Sequence, residues 1–339
     1  MPPIGATEAL SLMTTLKTSF NQSNKHQRDK KFLIILTLML IIGVITTLSG
    51  YKLSKNILTR EKLKIFNQDA EKIQQWIEER MLNHVNALRG LQAFWIGNNQ
   101  AVTREKFNLY LDSLNLLNDF PGISSVAFIK RANEKIITTY IKPLADREAA
   151  LGFDHNTDPQ RKAFFEQIRD TGRIAASDPL ALITTNRSGM FLAAPLYADS
   201  ITPESIIERQ RQLVGFLVIV FRDNELFKAI FGRQNPLPDL DFVVYHGSYD
   251  NGHNTPKHVL FDSDPEFNPI TDTKFLQTKK YISVGNTPWT IVVTAKPSFS
   301  LTATEENLPK TMLTVGLALS GVFGLIILSF YRQHLKKWH

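Results

Sequence analysis

The sequence predicts an α+β protein held between two transmembrane helices: a long helix, then two successive antiparallel-sheet subdomains. Three observations carry that prediction. First, two uncharged apolar runs, Phe32–Leu48 (FLIILTLMLIIGVITTL) and Leu313–Phe330 (LTVGLALSGVFGLIILSF), bracket the chain. A helical rise of ~1.5 Å per residue brings each close to the ~30 Å of bilayer hydrocarbon. Second, Leu53–Ile96 contains no proline and one glycine, Gly90, with apolar residues at helical spacing. Third, two sets of strand candidates are separated by Gly232–Pro238, a short linker holding Pro236 and Pro238. The division that follows is 1–31 as a tail, 32–50 as the first span and 51–100 as a stalk helix. Sheet subdomains occupy 101–235 and 236–300, the second span 312–331, and a short tail 332–339.

Two spans place the residues between them on one side of the membrane and both tails on the other. Glu305, Glu306 and Lys310 precede the second run, whereas Arg332, Lys336 and Lys337 follow it. Basic flanks favour the cytoplasm, so both tails are expected inside and the central region in the periplasm or outside the cell. The first run is basic on both flanks (Lys25, Arg28, Lys30 and Lys31 before, Lys52, Lys55, Arg60, Lys62 and Lys64 after), so the second decides the orientation. A cleaved signal peptide is the competing reading of the first run, with Leu48-Ser49-Gly50 faintly like a cleavage site. The long leader and long apolar region argue for an uncleaved anchor.

Composition bounds the chemistry. The 339 residues are 43% hydrophobic and 21% charged, enough for one or two globular domains besides the spans. There is no cysteine, which excludes disulfides, thiol catalysis and cysteine metal sites. Much of the net charge of +7 sits beside the membrane, where it is better read as lipid-surface charge than as a nucleic-acid footprint. No nucleic-acid motif is present, and neither is G-x-S-x-G, S-x-x-K or H-E-x-x-H, so no enzymatic activity and no cofactor are expected.

In chain order, Met1–Gln27 is Ser/Thr-rich without a sustained apolar period and is expected to be disordered. In the stalk, Phe66, Ala70, Ile73, Ile77, Arg80, His84, Ala87, Leu91 and Phe94 recur at alternating steps of four and three, a heptad seam imperfect at Arg80 and His84. Met81, Val85, Leu88 and Trp95 form a second stripe. Either one stripe packs on the domain and one on a partner, or both form a single wide core-facing stripe. Thr103 caps a helix running to about Asn118. Ile123–Lys130 and Lys135–Ile141 read as a hairpin around Asn133. Asp158 and Pro159 start a helix that Gly172 stops, carrying Phe164, Phe165 and Ile168. Arg173–Ile183 is extended, Met190–Tyr197 returns as a strand after a turn at Asn186–Gly189, and Asp199–Gln212 is a polar insertion. Leu213–Phe221 suits the centre of a sheet, and a helix through Phe231 follows. Asp241–Tyr245, His258–Asp262, Lys279–Val284 and Trp289–Ala295 form the second strand set.

Short motifs then fall in a recognisable order. Phe94 and the following helix precede Phe120-Pro121-Gly122-Ile123. Gly152-Phe153-Asp154, Arg161 with Arg169-Asp170-Thr171-Gly172, Pro195-Leu196-Tyr197, Gly215-Phe216, and Phe221-Arg222 with Leu226 come next. In order and spacing this pattern, from about His84 to Phe231, resembles the CHASE domain, the extracytoplasmic sensory module of histidine kinases and cyclases, including plant cytokinin receptors. The resemblance implies that both sheet subdomains are PAS-like, one membrane-distal and one membrane-proximal. It also implies a small-molecule pocket in the distal one and a homodimer through the stalk. Family members continue past the second span into a kinase or cyclase. This sequence ends at His339, so a separate signalling partner or a truncated receptor is expected, with His334 a membrane-flanking residue.

On that resemblance Asp154 is the sharpest candidate, a carboxylate at the pocket mouth able to accept a ligand's N–H groups; a capping or loop role is the alternative. Tyr140, Ser177, Leu182, Met190, Leu192 and Ala194 lie on the strands expected to wall the pocket, with core packing the alternative for each. Arg161 and Arg169 could hold an anion, although salt bridges to Asp158 and Asp170 account for them more simply. Asp154, His155 and Asp158 carry metal-capable atoms close in sequence, and His246, His253 and His258 share a polar loop; such loop clusters are common, so no metal site is assigned. The function expected is a membrane-anchored periplasmic sensor. A non-enzymatic envelope scaffold acting through its stalk is the alternative.

Overall fold

The structure, a computed structural model, describes residues 5–120, 122–185, 187–199, 201–232, 236–248, 258–267 and 275–336. It divides into two compact units: residues 1–64 with 300–339, and residues 65–299.

In the first unit, two helices long and apolar enough to cross a membrane run side by side. One is the first part of α1 (Gly5–Gly97), the other is α7 (Ala303–Lys336). They meet at small residues. A Cβ on Gly43 would lie 2.8 Å from Ser320 Oγ, one on Gly316 would strike Thr47, and one on Gly324 would touch Leu40. Phe32 stacks on Tyr331 with centroids 3.7 Å apart. Small residues at these positions let the two helix backbones approach closely. The tail expected to be disordered is instead helical from Gly5, a correction with a simple cause. No proline or glycine interrupts Ala6–Lys31, so the helix extends outward from the span without a fresh nucleation step.

The second unit begins with the rest of α1. After α2 (Arg104–Ser113) and α3 (Leu116–Asp119) come the strands of the first sheet, with their helices between. They are β1 (Ile123–Ala132), β2 (Lys135–Lys142), α4 (Pro159–Thr171), β3 (Ala175–Ala176), β4 (Leu180–Ala181), β5 (Ser188–Tyr197), α5 (Ile206–Gln212), β6 (Leu213–Arg222) and α6 (Asp223–Phe231). The sheet is antiparallel in order β2-β1-β6-β5-β3, with β4 also on β5, a PAS-like arrangement. The second sheet holds β7 (Leu240–His246), β8 (His258–Asp262), β9 (Gln277–Val284) and β10 (Thr287–Ala295), in order β8-β7-β10-β9.

Local chemistry explains the boundaries. Thr103 caps α2 by accepting from Lys106 N, but Asn115, left-handed at φ 47°, breaks the expected single helix into α2 and α3. Asp158 accepts from Gln160 N (2.9 Å) and Arg161 N (3.2 Å) at the start of α4, and Gly172 at φ 69° ends it. Part of the polar insertion winds into α5, capped by Ser205.

Phe66, Ala70, Ile73, Ile77, Met81, His84, Val85, Leu88, Leu91 and Trp95 of α1 are all buried in one core with residues of both sheets. The two stripes are therefore one wide face turned onto the protein's own sheets, and the second stripe is not left for a partner. The opposite face of the first sheet carries a second core, Ala127, Ile129, Phe191, Ala193, Phe216 and Val218, covered by Phe164, Phe165 and Ile168 of α4. The sheets are joined where β3 meets the β9–β10 turn. Ala175 bridges Gly285, Asn286 N donates to Ile174 O (2.7 Å), and Ala176 N donates to Thr287 Oγ1 (2.9 Å).

Candidate functional site

A cavity of about 40 Å³ lies on the α4 side of the first sheet. Its floor is Ser125, Ala127 and Ile129 of β1, Val218 and Val220 of β6, and Phe191 of β5. Thr138 and Ile141 of β2, Ala150, and Leu182, Ile183 and Thr184 of the turn after β4 complete the wall. The polar lining is Ser124, Arg147, His155 and Arg161 besides these hydroxyls, and includes no carboxylate.

The chain between β2 and α4 builds the polar end. Thr138 N donates to Phe153 O (3.2 Å) and Gly152 N to Thr138 O (3.0 Å), so this segment pairs with the β2 edge and sets His155 against Thr138. His155 is 2% exposed, with Nε2 2.9 Å from Thr138 Oγ1 and Nδ1 without a partner. Burial and the nearby Arg161 charge lower its pKa to about 3, so the imidazole is neutral at pH 7. Arg161, also 2% exposed, projects from the first turn of α4. Nε donates to Asp158 Oδ2 (3.1 Å), one Nη donates to Ala181 O, and the guanidinium lies over the rings of Phe191 (5.3 Å) and Phe153 (5.5 Å). Nη1 is buried with no partner. Arg147 reaches Ser124 Oγ (3.4 Å), and burial followed by the charge of Arg222 lowers its pKa. The site can thus offer buried donors and positive charge to a small ligand beside an apolar floor.

The residues singled out from sequence distribute unevenly around it. Leu182 lines the cavity. Ser177 is buried behind it, accepting from Phe191 N (2.9 Å) and donating to Asp178 O (2.7 Å). Met190, Leu192 and Ala194 share a face, but it is the face turned to α1. Their odd-numbered neighbour Phe191 faces the cavity, because successive strand residues point to opposite faces. Tyr140 also turns to α1, packing on Trp95, Phe107 and Phe128 and donating to Val102 O (3.2 Å). A bulge opposite Phe128/Ile129 reverses the alternation after Thr138. Asp154 takes its alternative role, accepting from Ile136 N (3.2 Å) and Asn156 N (3.1 Å), and is not in the cavity wall. Arg169 pairs with Asp170 (2.6 Å) away from the cavity. His253 lies outside the described residues, and among those described no group of three or more metal-capable side chains converges.

Arg147, Thr138 and the pocket role of His155 escaped the sequence reading. The pairing of segment 152–154 with β2, which creates the polar end, leaves no mark in local periodicity.

The fold is PAS-like, with a cavity on one face of its first sheet. Residues 132–261 match the family model of the CHASE domain. No curated protein matches the chain in sequence. Among solved structures, the chain is similar to the ligand-binding domain of the Pseudomonas fluorescens chemoreceptor CtaA in complex with L-isoleucine (13% identity, TM-score 0.44, 72% of this chain and 95% of that one). It is also similar to that of the Pseudomonas aeruginosa amino acid chemoreceptor PctB with L-Arg (11%, TM-score 0.43, 68% and 96%). A third is an extracellular ligand binding receptor from Desulfohalobium retbaense (12%, TM-score 0.43), where the match covers 69% of this chain and only 39% of that one.

Proposed function

We propose that the protein is a two-pass membrane sensor whose CHASE-type domain lies outside the cytoplasm and binds a small molecule in the cavity of the first sheet. The observation that carries this reading is the cavity itself, lined by Arg161 and Arg147 beside an apolar floor, with one Arg161 nitrogen buried and partnerless. Binding widens the site, since about 40 Å³ holds no more than a few waters. The motion starts at Leu182–Thr184 and passes along Asp178 and Ala176 to the second sheet, where His246 Nδ1 meets Asp178 (2.7 Å). From there it reaches the spans and a signalling partner. The available signal is the ligand's differential affinity for the two packings. Burial of the stalk stripe removes that stripe as a surface for either a scaffold contact or a stalk dimer.

The experiment is thermal unfolding of the full chain in nanodiscs against a metabolite panel; selective stabilisation by one compound class is expected. Orientation is tested separately. Single cysteines at Glu204 and Gln333 of this cysteine-free chain should be labelled by an impermeant thiol reagent in intact cells at Glu204 alone. Labelling at Gln333 but not Glu204 would reverse the topology.

A further inference from the structure

We infer that the cavity selects a small monocarboxylate with an apolar body, held by Arg161 and Arg147, and rejects free amino acids and amines. This rests on the sensor reading above and gives its ligand a charge.

Asp158 neutralises one side of the Arg161 guanidinium, and Ala181 O takes a further N–H, but Nη1 is left buried and unpaired. A buried, unpaired donor on a charged group is costly, and the group that removes the cost is an acceptor, best an anionic one. Arg147 adds a second positive charge to the lining, and its contact with Ser124 at 3.4 Å is long enough to be exchanged for a carboxylate oxygen. His155 is neutral. In the tautomer where Thr138 donates to Nε2, its Nδ1–H is another donor without a partner.

The lining contains no Asp or Glu to receive an ammonium. A zwitterionic amino acid would therefore satisfy the arginines but leave its own cation without a carboxylate partner in the cavity. The remaining wall, Ala127, Ile129, Leu182, Phe191, Val218 and Val220, suits a short aliphatic or aromatic tail.

The test measures thermal unfolding of the full chain in nanodiscs at pH 7.5 with matched probes: propionate, isovalerate and benzoate, their amides, propylamine, alanine and valine. Saturable stabilisation by at least one carboxylate is expected, with its amide and amine at least tenfold weaker and alanine and valine inert. Arg161→Lys, which keeps the charge but loses the forked donors, should weaken the carboxylate at least tenfold, as should Arg147→Gln. Should Arg161→Lys fail to fold, the wild-type amide and amine comparisons still decide. Ala127→Leu, which fills the cavity, should remove the response. A carboxylate response unaffected by Ala127→Leu overturns the assignment. Stabilisation by amines or amino acids that Ala127→Leu abolishes overturns the ligand charge while leaving the sensor intact. Silence from every probe and from a broad metabolite panel overturns both.

Discussion

His84 should be replaceable by leucine with a gain in stability that grows on acidification. The side chain is fully buried in the α1 core, edge-on to Phe221 (4.8 Å) and near Phe120 (5.5 Å); neither ring nitrogen has a partner of good geometry, and the Arg80 carbonyl one turn back is a weak acceptor that opposes part of the shift. Burial first, and the charge of Arg80 second, lower its pKa from 6.5 to about 4. The unfolded chain therefore binds a proton that the folded chain refuses. The neutral core is at full strength above pH 6.5 and loses stability as pH falls from there toward 4. From pH 7.5 to 5.5 that linkage is worth about 1.3 kcal/mol. In a domain of this size this corresponds to ~3–5 °C of melting temperature. His84→Leu removes the linkage together with two poorly satisfied polar atoms, so it should stabilise by about 1–2 kcal/mol at pH 7.5 and about 1.3 kcal/mol more at pH 5.5. Thermal unfolding of wild type and variant in nanodiscs at both values measures it. A variant that tracks the wild type in parallel across this range would show that His84 is not the depressed, neutral imidazole described.

Three other predictions concern the site and its supports. Asp158→Ala removes the α4 cap and the carboxylate beside Arg161; a loss of about 2–4 kcal/mol is expected by denaturant unfolding, with Asp158→Asn, which can still cap, losing less. Gly285→Ala places a Cβ against Ile174 O at a residue with φ +63°; a cost of about 1–3 kcal/mol and faster hydrogen exchange at the Asn286 amide should mark a loosened junction between the sheets. Ala127→Leu should abolish ligand-induced stabilisation while changing unliganded stability by no more than about 1–3 kcal/mol, separating cavity filling from unfolding.

Much of this protein could be read from local chemistry. The two long apolar helices follow from unbroken apolarity, the rest of α1 from a proline-free period, α4 from Asp158 and Gly172, and the hairpin from Asn133, whose φ of 55° suits its turn. Each is decided by residues a few positions apart, which is why the sequence alone determined them. The sidedness of the first sheet was not legible. β5 is buried on both faces, so alternation groups Met190 with Leu192 and Ala194 but cannot say whether α1 or the cavity lies beneath them. The bulge after Thr138 then turns Tyr140 away from the site. Arg161 is the sharpest case. Its neighbour Asp158 announces a salt bridge, but whether a guanidinium keeps one nitrogen buried and unpaired depends on Phe153, Ala181 and Phe191, brought together only by long-range strand pairing. Sequence determined most of the elements, because helix and strand are largely local. Tertiary packing decided which faces enclose the site and with what charge, because burial is a property of the assembled chain.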